Sequence, residues 1–153
     1  MTRGRLAGPR SKAVATWLAL IGGGLGLHRF YLYGAADPWA WLHPWPTLVG
    51  AYGFWRMREF GVDDAWGSLL VPLLGAMLAA TMLTAIVYGL SDDERWHARH
   101  GGAVAAGEPC SAWPTIIGVV LALACGAAIT MATIAFMAQR YFELHAIASA
   151  RIR

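Results

Sequence analysis

Histidines beside acids, and one arginine at the edge of an apolar run, are the residues here whose types and spacing could do chemistry. His97 and His100 lie three apart, just after Asp92, Asp93 and Glu94. On a helix, residues three apart share a face, and imidazole with carboxylate can hold zinc or nickel. His28 and His43 could add ligands if they reach the same side. The competing reading is a solvated, charged helix lying on lipid headgroups, since neither a thiolate nor a zincin spacing accompanies the pair. Catalytic patterns are missing: there is no His-Glu-x-x-His, no Gly-x-Ser-x-Gly and no Gly-Lys-Ser/Thr. The apolar stretches contain no acid, only the hydroxyls of Thr81, Thr84, Thr130 and Thr133. Such hydroxyls bond back to their own helix. The expectation is a protein that is not an enzyme and has no resident cofactor, with His97 and His100 the only metal candidates.

The densest pattern runs from Gly22 through Gly26 to His28, Arg29, Phe30 and Tyr31. On a continuous helix, glycines four apart put a flat patch on one face, where another backbone can approach closely. Gly22 and Gly26 therefore read as a packing face, toward the second helix or toward a second copy. Gly118, Ala122 and Gly126, with Gly75 and Ala79, repeat the spacing and predict close pairing of the third and fourth helices. Arg29 falls in the last turns of the first apolar stretch, where it could pair with a lipid phosphate or a partner's acid.

The composition says what must position these residues. Of 153 residues, 58% are hydrophobic and 14% charged, about half the charge that a soluble surface needs. Disorder is excluded for the same reason. The apolar residues gather in four stretches, 13–33, 39–58, 69–90 and 115–138. The last two hold 22 and 24 residues without a charge, enough to span a ~30 Å hydrocarbon core. The first could be a secretory signal, because residues 13–27 follow a basic start; apolar character resuming at Phe30 favours a helix to residue 33. In the second, Pro44 and Pro46 forbid one undistorted helix, so it should come in two parts, with Asp37 capping and Pro38 opening the first. Trp39, Trp41 and Trp45 suit an interfacial belt. The acids of residues 92–94 open a short surface helix within a polar loop, 91–114. No convincing internal repeat stands out. Cys110 and Cys125, one in the loop and one in an apolar run, read as free thiols.

The net charge of +3 forms no basic, aromatic-interleaved stripe, which argues against nucleic-acid binding. It serves better as a topology signal. For four crossings with the N-terminus inside, inner segments hold nine Lys/Arg and outer segments three. The positive-inside rule then puts both termini in the cytoplasm.

Residues 11–60 resemble the TM-two domain family, on the strength of Ser11-Lys12, Ala15, Leu18-Ala19, the glycine-rich turn and His28-Arg29-Phe30-Tyr31-Leu32. The resemblance implies two transmembrane helices flanking a short loop with an Asp/His-Arg-Phe motif, carried here by His28, Arg29 and Phe30. It implies no catalytic activity. Two features depart from the family: Tyr33 precedes Gly34, and Arg56 follows Trp55 where the family commonly has aspartate.

The fold expected is therefore all-α and membrane-embedded: a four-helix polytopic bundle of two hairpins, 13–60 and 69–138. A basic N-terminus (1–12), a short loop (61–68) and a cytoplasmic tail (139–153) complete it. The function expected is that of a structural or interaction component of the bacterial inner membrane, multi-pass, with lipid, other membrane proteins or a second copy as partners. The alternative is a small transporter or metal handler using the outer histidines.

Overall fold

The computed structural model describes residues 10–100 and 112–151, and expectations for Cys110 and the first basic residues fall outside that range. All regular elements among the described residues are helical. They are α1 (Lys12–Gly22), α2 (Leu27–Tyr33), α3 (Pro38–Leu42), α4 (Pro44–Phe60), α5 (Ala65–Leu90), α6 (Asp93–His100) and α7 (Ala112–Arg151), with a 3-10 turn, Gly23–Leu25, after α1. Two helices, Ala65–Leu90 and Trp113–Ile147, are long and apolar enough to cross a membrane. Only 17% and 6% of their most apolar windows are buried, the reverse of a soluble core helix.

The central element is α5, and the other long helices are placed by what they touch along it. Pro72 lies inside α5 without ending it. The helix α7 runs antiparallel beside it. Gly89 faces Thr115, Ala122 packs in one cluster with Met82 and Ala85, a Cβ on Gly126 would lie 2.9 Å from that of Met82, and Gly75 meets Thr133. By Arg140, 3.9 Å from Asp63, α7 has reached the start of α5. Its remaining turns continue about 16 Å further at 1.5 Å per residue.

The first apolar stretch departs from expectation. Residues 13–33 do not form one helix. Three consecutive glycines and Gly26 at φ 74° stop α1 after Gly22, and α2 then doubles back. Thr16 lies by Gly89, Ala19 by Met82 and Ala85, and Gly23 by Thr81, so α1 descends along the C-terminal half of α5. From there α2 returns: Tyr31 accepts a hydrogen bond from the Ser11 amide (3.0 Å), and Leu32 packs with Ala15 and Trp96. Residues 10–12 and the end of α2 therefore share one end of the molecule.

The other half of α5 belongs to α4. Gly24 lies by Thr47 and Leu78, Gly50 by Leu74, and Gly53 by Leu70. Thus α1 and α4 lie end to end along one side of α5, each covering half of it, with the α2–α3 hairpin inserted between them. The expected two-part second stretch is present, with Asp37 accepting from the Trp39 amide and Pro38 in the first turn. Because α1 and α2 return to their starting end, the described chain begins at one end of the bundle and finishes at the other. Other boundaries also move: α5 begins at Ala65, and the expected tail, 139–153, is helical through Arg151.

Candidate functional site at the break between two half-helices

The break is built by residues that cannot continue a helix. Gly26 is left-handed, which costs an L side chain, and a Cβ there would sit 2.9 Å from the His43 Cβ and 3.0 Å from the Ala40 carbonyl oxygen. Across the gap α4 opens with Pro44 and Pro46 in its first turn, where a missing N–H costs nothing. The Thr47 hydroxyl stitches the two halves together, donating to the Gly24 carbonyl at 2.7 Å.

The His-Arg-Phe segment lies on α2, and each of its side chains has a separate destination. His28 is 2% exposed and points inward, its ring centroid 5.4 Å from that of His43 and 5.9 Å from that of Tyr88. Its Nδ1 is buried without a hydrogen-bond partner. Arg29 donates through Nε and Nη2 to Asp37 (3.0 and 2.9 Å) and lies over the Tyr33 ring. Phe30 meets Trp41 edge-on at 5.2 Å. Tyr31 ties α2 to residue 11. Asp37 thus takes one edge of the Arg29 guanidinium, Nε and Nη2, and supplies from within the chain an acid that was expected from a lipid or a partner. The Gly22–Gly26 face is likewise not a helix face: those glycines make the turn.

The corner around Arg29 occurs twice. Arg29, Tyr33, Gly34 and Asp37 are matched, residue for residue, by Arg56, Phe60, Gly61 and Asp64. In each, the arginine lies over the aromatic ring four residues on, at 5.3 and 5.0 Å. The glycine takes a positive φ, 80° and 90°, and the aspartate both binds the arginine and caps the next helix. Arg56 Nε and Nη2 reach Asp64 at 2.8 and 3.1 Å, and the Gly67 amide donates to Asp64 at 2.6 Å. Arg56 thus draws its acid from the cap of the next helix. The Arg56 guanidinium, then the Gly67 N–H, hold the Asp64 carboxyl below the usual carboxylate range. The sequence signal, Arg-x3-aromatic-Gly-x2-Asp at a spacing of 27 residues, was legible but carries no hydrophobic periodicity to flag it.

At the end shared by residue 10, Lys12 is nearly buried. Its Nζ donates to the Ser91 carbonyl (2.5 Å), closing the C-terminus of α5, and to Asp93 (2.8 Å). Trp96, 3% exposed, donates to the Arg10 carbonyl at 2.8 Å. The His100 ring lies 4.5 Å from that of Trp96 and 6.2 Å from that of Tyr33. Burial, then Arg10 and Arg99, lower its pKa. Among the described residues no group of three potential metal ligands comes together, His97 and His100 included. Along the small-residue stripe, Gly118 abuts Thr16, and Ala122 is fully buried beside Ala19. Thr81, Thr84, Thr130 and Thr133 all donate to their own helix, at 2.7–2.8 Å.

Among the described residues, fold and site together define an all-helical arrangement with two helices long and apolar enough to cross a membrane, and a buried histidine at a helix break. Comparison with protein-family models, with curated proteins and with solved structures gives no match.

Proposed function

We propose that the chain is a multi-pass integral protein of the bacterial inner membrane, built on a TM-two type segment, that acts by packing with other membrane proteins or lipids rather than by catalysis. In this reading it crosses three times, through α4 with the end of α1, through α5 and through α7, and the α1–α2 hairpin enters and leaves on one side. The observation that carries the reading is α7, whose apolar surface is left almost wholly uncovered by the chain itself. An apolar surface that long needs lipid or a partner. Irregular backbone at depth is tolerated where it is packed inside protein, which fits the glycine turn against α4 and α5.

Three crossings redistribute the charges. The nine-to-three asymmetry becomes seven Lys/Arg on the side of residue 10 and five on the other, so reporter fusions must orient the chain. Fusions at residues 36 and 105 should report the same side as the N-terminus, and fusions at residues 62 and 153 the opposite side. An N-terminus and residue 36 on opposite sides would overturn the three-pass arrangement.

A second reading, a small transporter, is favoured by one observation: His28 sits buried and unpartnered at Nδ1 where two half-helices meet. Ionisable groups and broken helices at depth mark substrate and ion paths. His28→Phe should abolish solute or proton flux in reconstituted vesicles on this reading, while leaving partner capture intact on the first.

A further inference from the structure

A cleft of about 470 Å³ lies at the end of the molecule shared by residue 10, where α2, the last turn of α5 and α6 meet. Its two sides differ in chemistry. Val87 and Leu90, on the exposed flank of α5, give it an apolar floor continuous with the surface of that helix. From α6, Arg95 and Arg99 bring two guanidiniums, and the Trp96 and Tyr33 rings also line the cleft. Arg95 and Arg99 are exposed and make no ion pair among the described residues, whereas Lys12 takes Asp93 and Arg29 takes Asp37. Asp92 is the one acid in the lining. Two arginines four apart on a helix repel each other, a cost that an anion between them reverses. Guanidinium forks match phosphate oxygens in geometry.

We propose that this cleft binds the phosphate-bearing headgroup of an anionic amphiphile, with Arg95 and Arg99 on the phosphate and Val87 and Leu90 along the first apolar segment. The site rests on the membrane reading for its ligand's source, since a headgroup reaches the cleft only if Val87 and Leu90 lie at the hydrocarbon edge. The same phosphate chemistry could come from a soluble phosphorylated polyol.

The test uses the full chain in vesicles of phosphatidylcholine with and without phosphatidylglycerol, followed by native mass spectrometry of retained lipid. Wild type should keep phosphatidylglycerol over phosphatidylcholine. R95Q with R99Q should lose at least about tenfold of that preference, the loss of one charge-assisted hydrogen bond or more. Arg58→Gln, at the other end, should not change it. R95K with R99K should recover part of the preference, because charge remains without the fork. Equal retention of the two lipids by inserted wild type, or an unchanged preference in the double Gln variant, overturns the headgroup site. Binding of glycerol phosphate without phosphatidylglycerol selectivity assigns the cleft to a soluble phosphate ester instead and overturns the lipid assignment. Extraction of wild type by alkaline carbonate refutes the membrane reading separately. The cleft is then judged on glycerol phosphate alone, with binding lost in the double Gln variant upholding a phosphate site and no binding overturning it.

Discussion

Gly26→Ala distinguishes a broken first stretch from a continuous one by the sign of its effect. In the structure Gly26 has φ 74° and ψ 15°, a conformation that costs an L residue roughly 1–2 kcal/mol. The new Cβ would also lie 2.9 Å from the His43 Cβ and 3.0 Å from the Ala40 carbonyl oxygen. The second is backbone, so α3 itself must give way, an overpacking cost of about 1–3 kcal/mol. Together these predict about 2–5 kcal/mol of destabilisation. On an uninterrupted helix through residues 13–33 the same change would stabilise by about 1 kcal/mol, because alanine is the better helix former. Gly34→Ala is the control: its φ is 80°, but nothing lies within 4 Å of the added Cβ, so only the conformational cost of roughly 1–3 kcal/mol applies. Denaturant titration of the purified chain in mixed micelles, read by tryptophan fluorescence, measures both variants against wild type. Gly26→Ala unfolding at or above the wild-type midpoint would refute the break.

Three further outcomes follow from the same contacts. Spin labels at residues 11 and 31, in a chain with Cys110 and Cys125 replaced, should report a short separation, because the Ser11 amide touches the Tyr31 hydroxyl; twenty residues of straight helix would give about 30 Å, and that value would refute the return of α2. The carboxyl of Asp64, held low by Arg56 and the Gly67 N–H, contributes stability that is present above its unfolded value near pH ~4 and lost as pH falls through the lower folded value. Asp64→Asn should lower stability at neutral pH and flatten the acid limb of the stability profile, and an unchanged acid limb would count against the corner. The lowered pKa of His100 means that the unfolded chain takes up a proton first, so stability should decline as pH drops below ~6.5. His100→Phe, which keeps a ring against Trp96, should remove that slope, and a persisting slope would assign it elsewhere.

The local chemistry of single elements was readable in the sequence. Long charge-free runs require long helices, so the spans on α5 and α7 follow from composition. Asp37 and Pro38 announce the start of α3, and the proline pair announces the start of α4. Threonine hydroxyls bonding back to their own helices needed only the identity of the residue. Gly118, Ala122 and Gly126 were legible as a packing stripe. The sequence could not say that their neighbours would include Thr16 and Ala19 of α1 as well as Met82 of α5.

What only the tertiary structure decided is direction. Residues 22–26 have the same apolar and small character whether the chain runs straight or turns, and glycines four apart fit a helix face as well as a loop. The choice falls to contacts far along the chain. Thr81 and Thr47 receive the glycine turn, Tyr31 reaches residue 11, and Trp96 closes over Arg10. These fold α2 back and leave α4 to take over the other half of α5. The same long-range placement joins Arg29 to Asp37 and Arg56 to Asp64 and brings His28 to His43. Hydropathy along the chain measures how apolar a segment is, not which way it points. Number of crossings, sidedness and the partner of each arginine therefore depend on packing, while helix content and the apolar surface were set by the residues themselves.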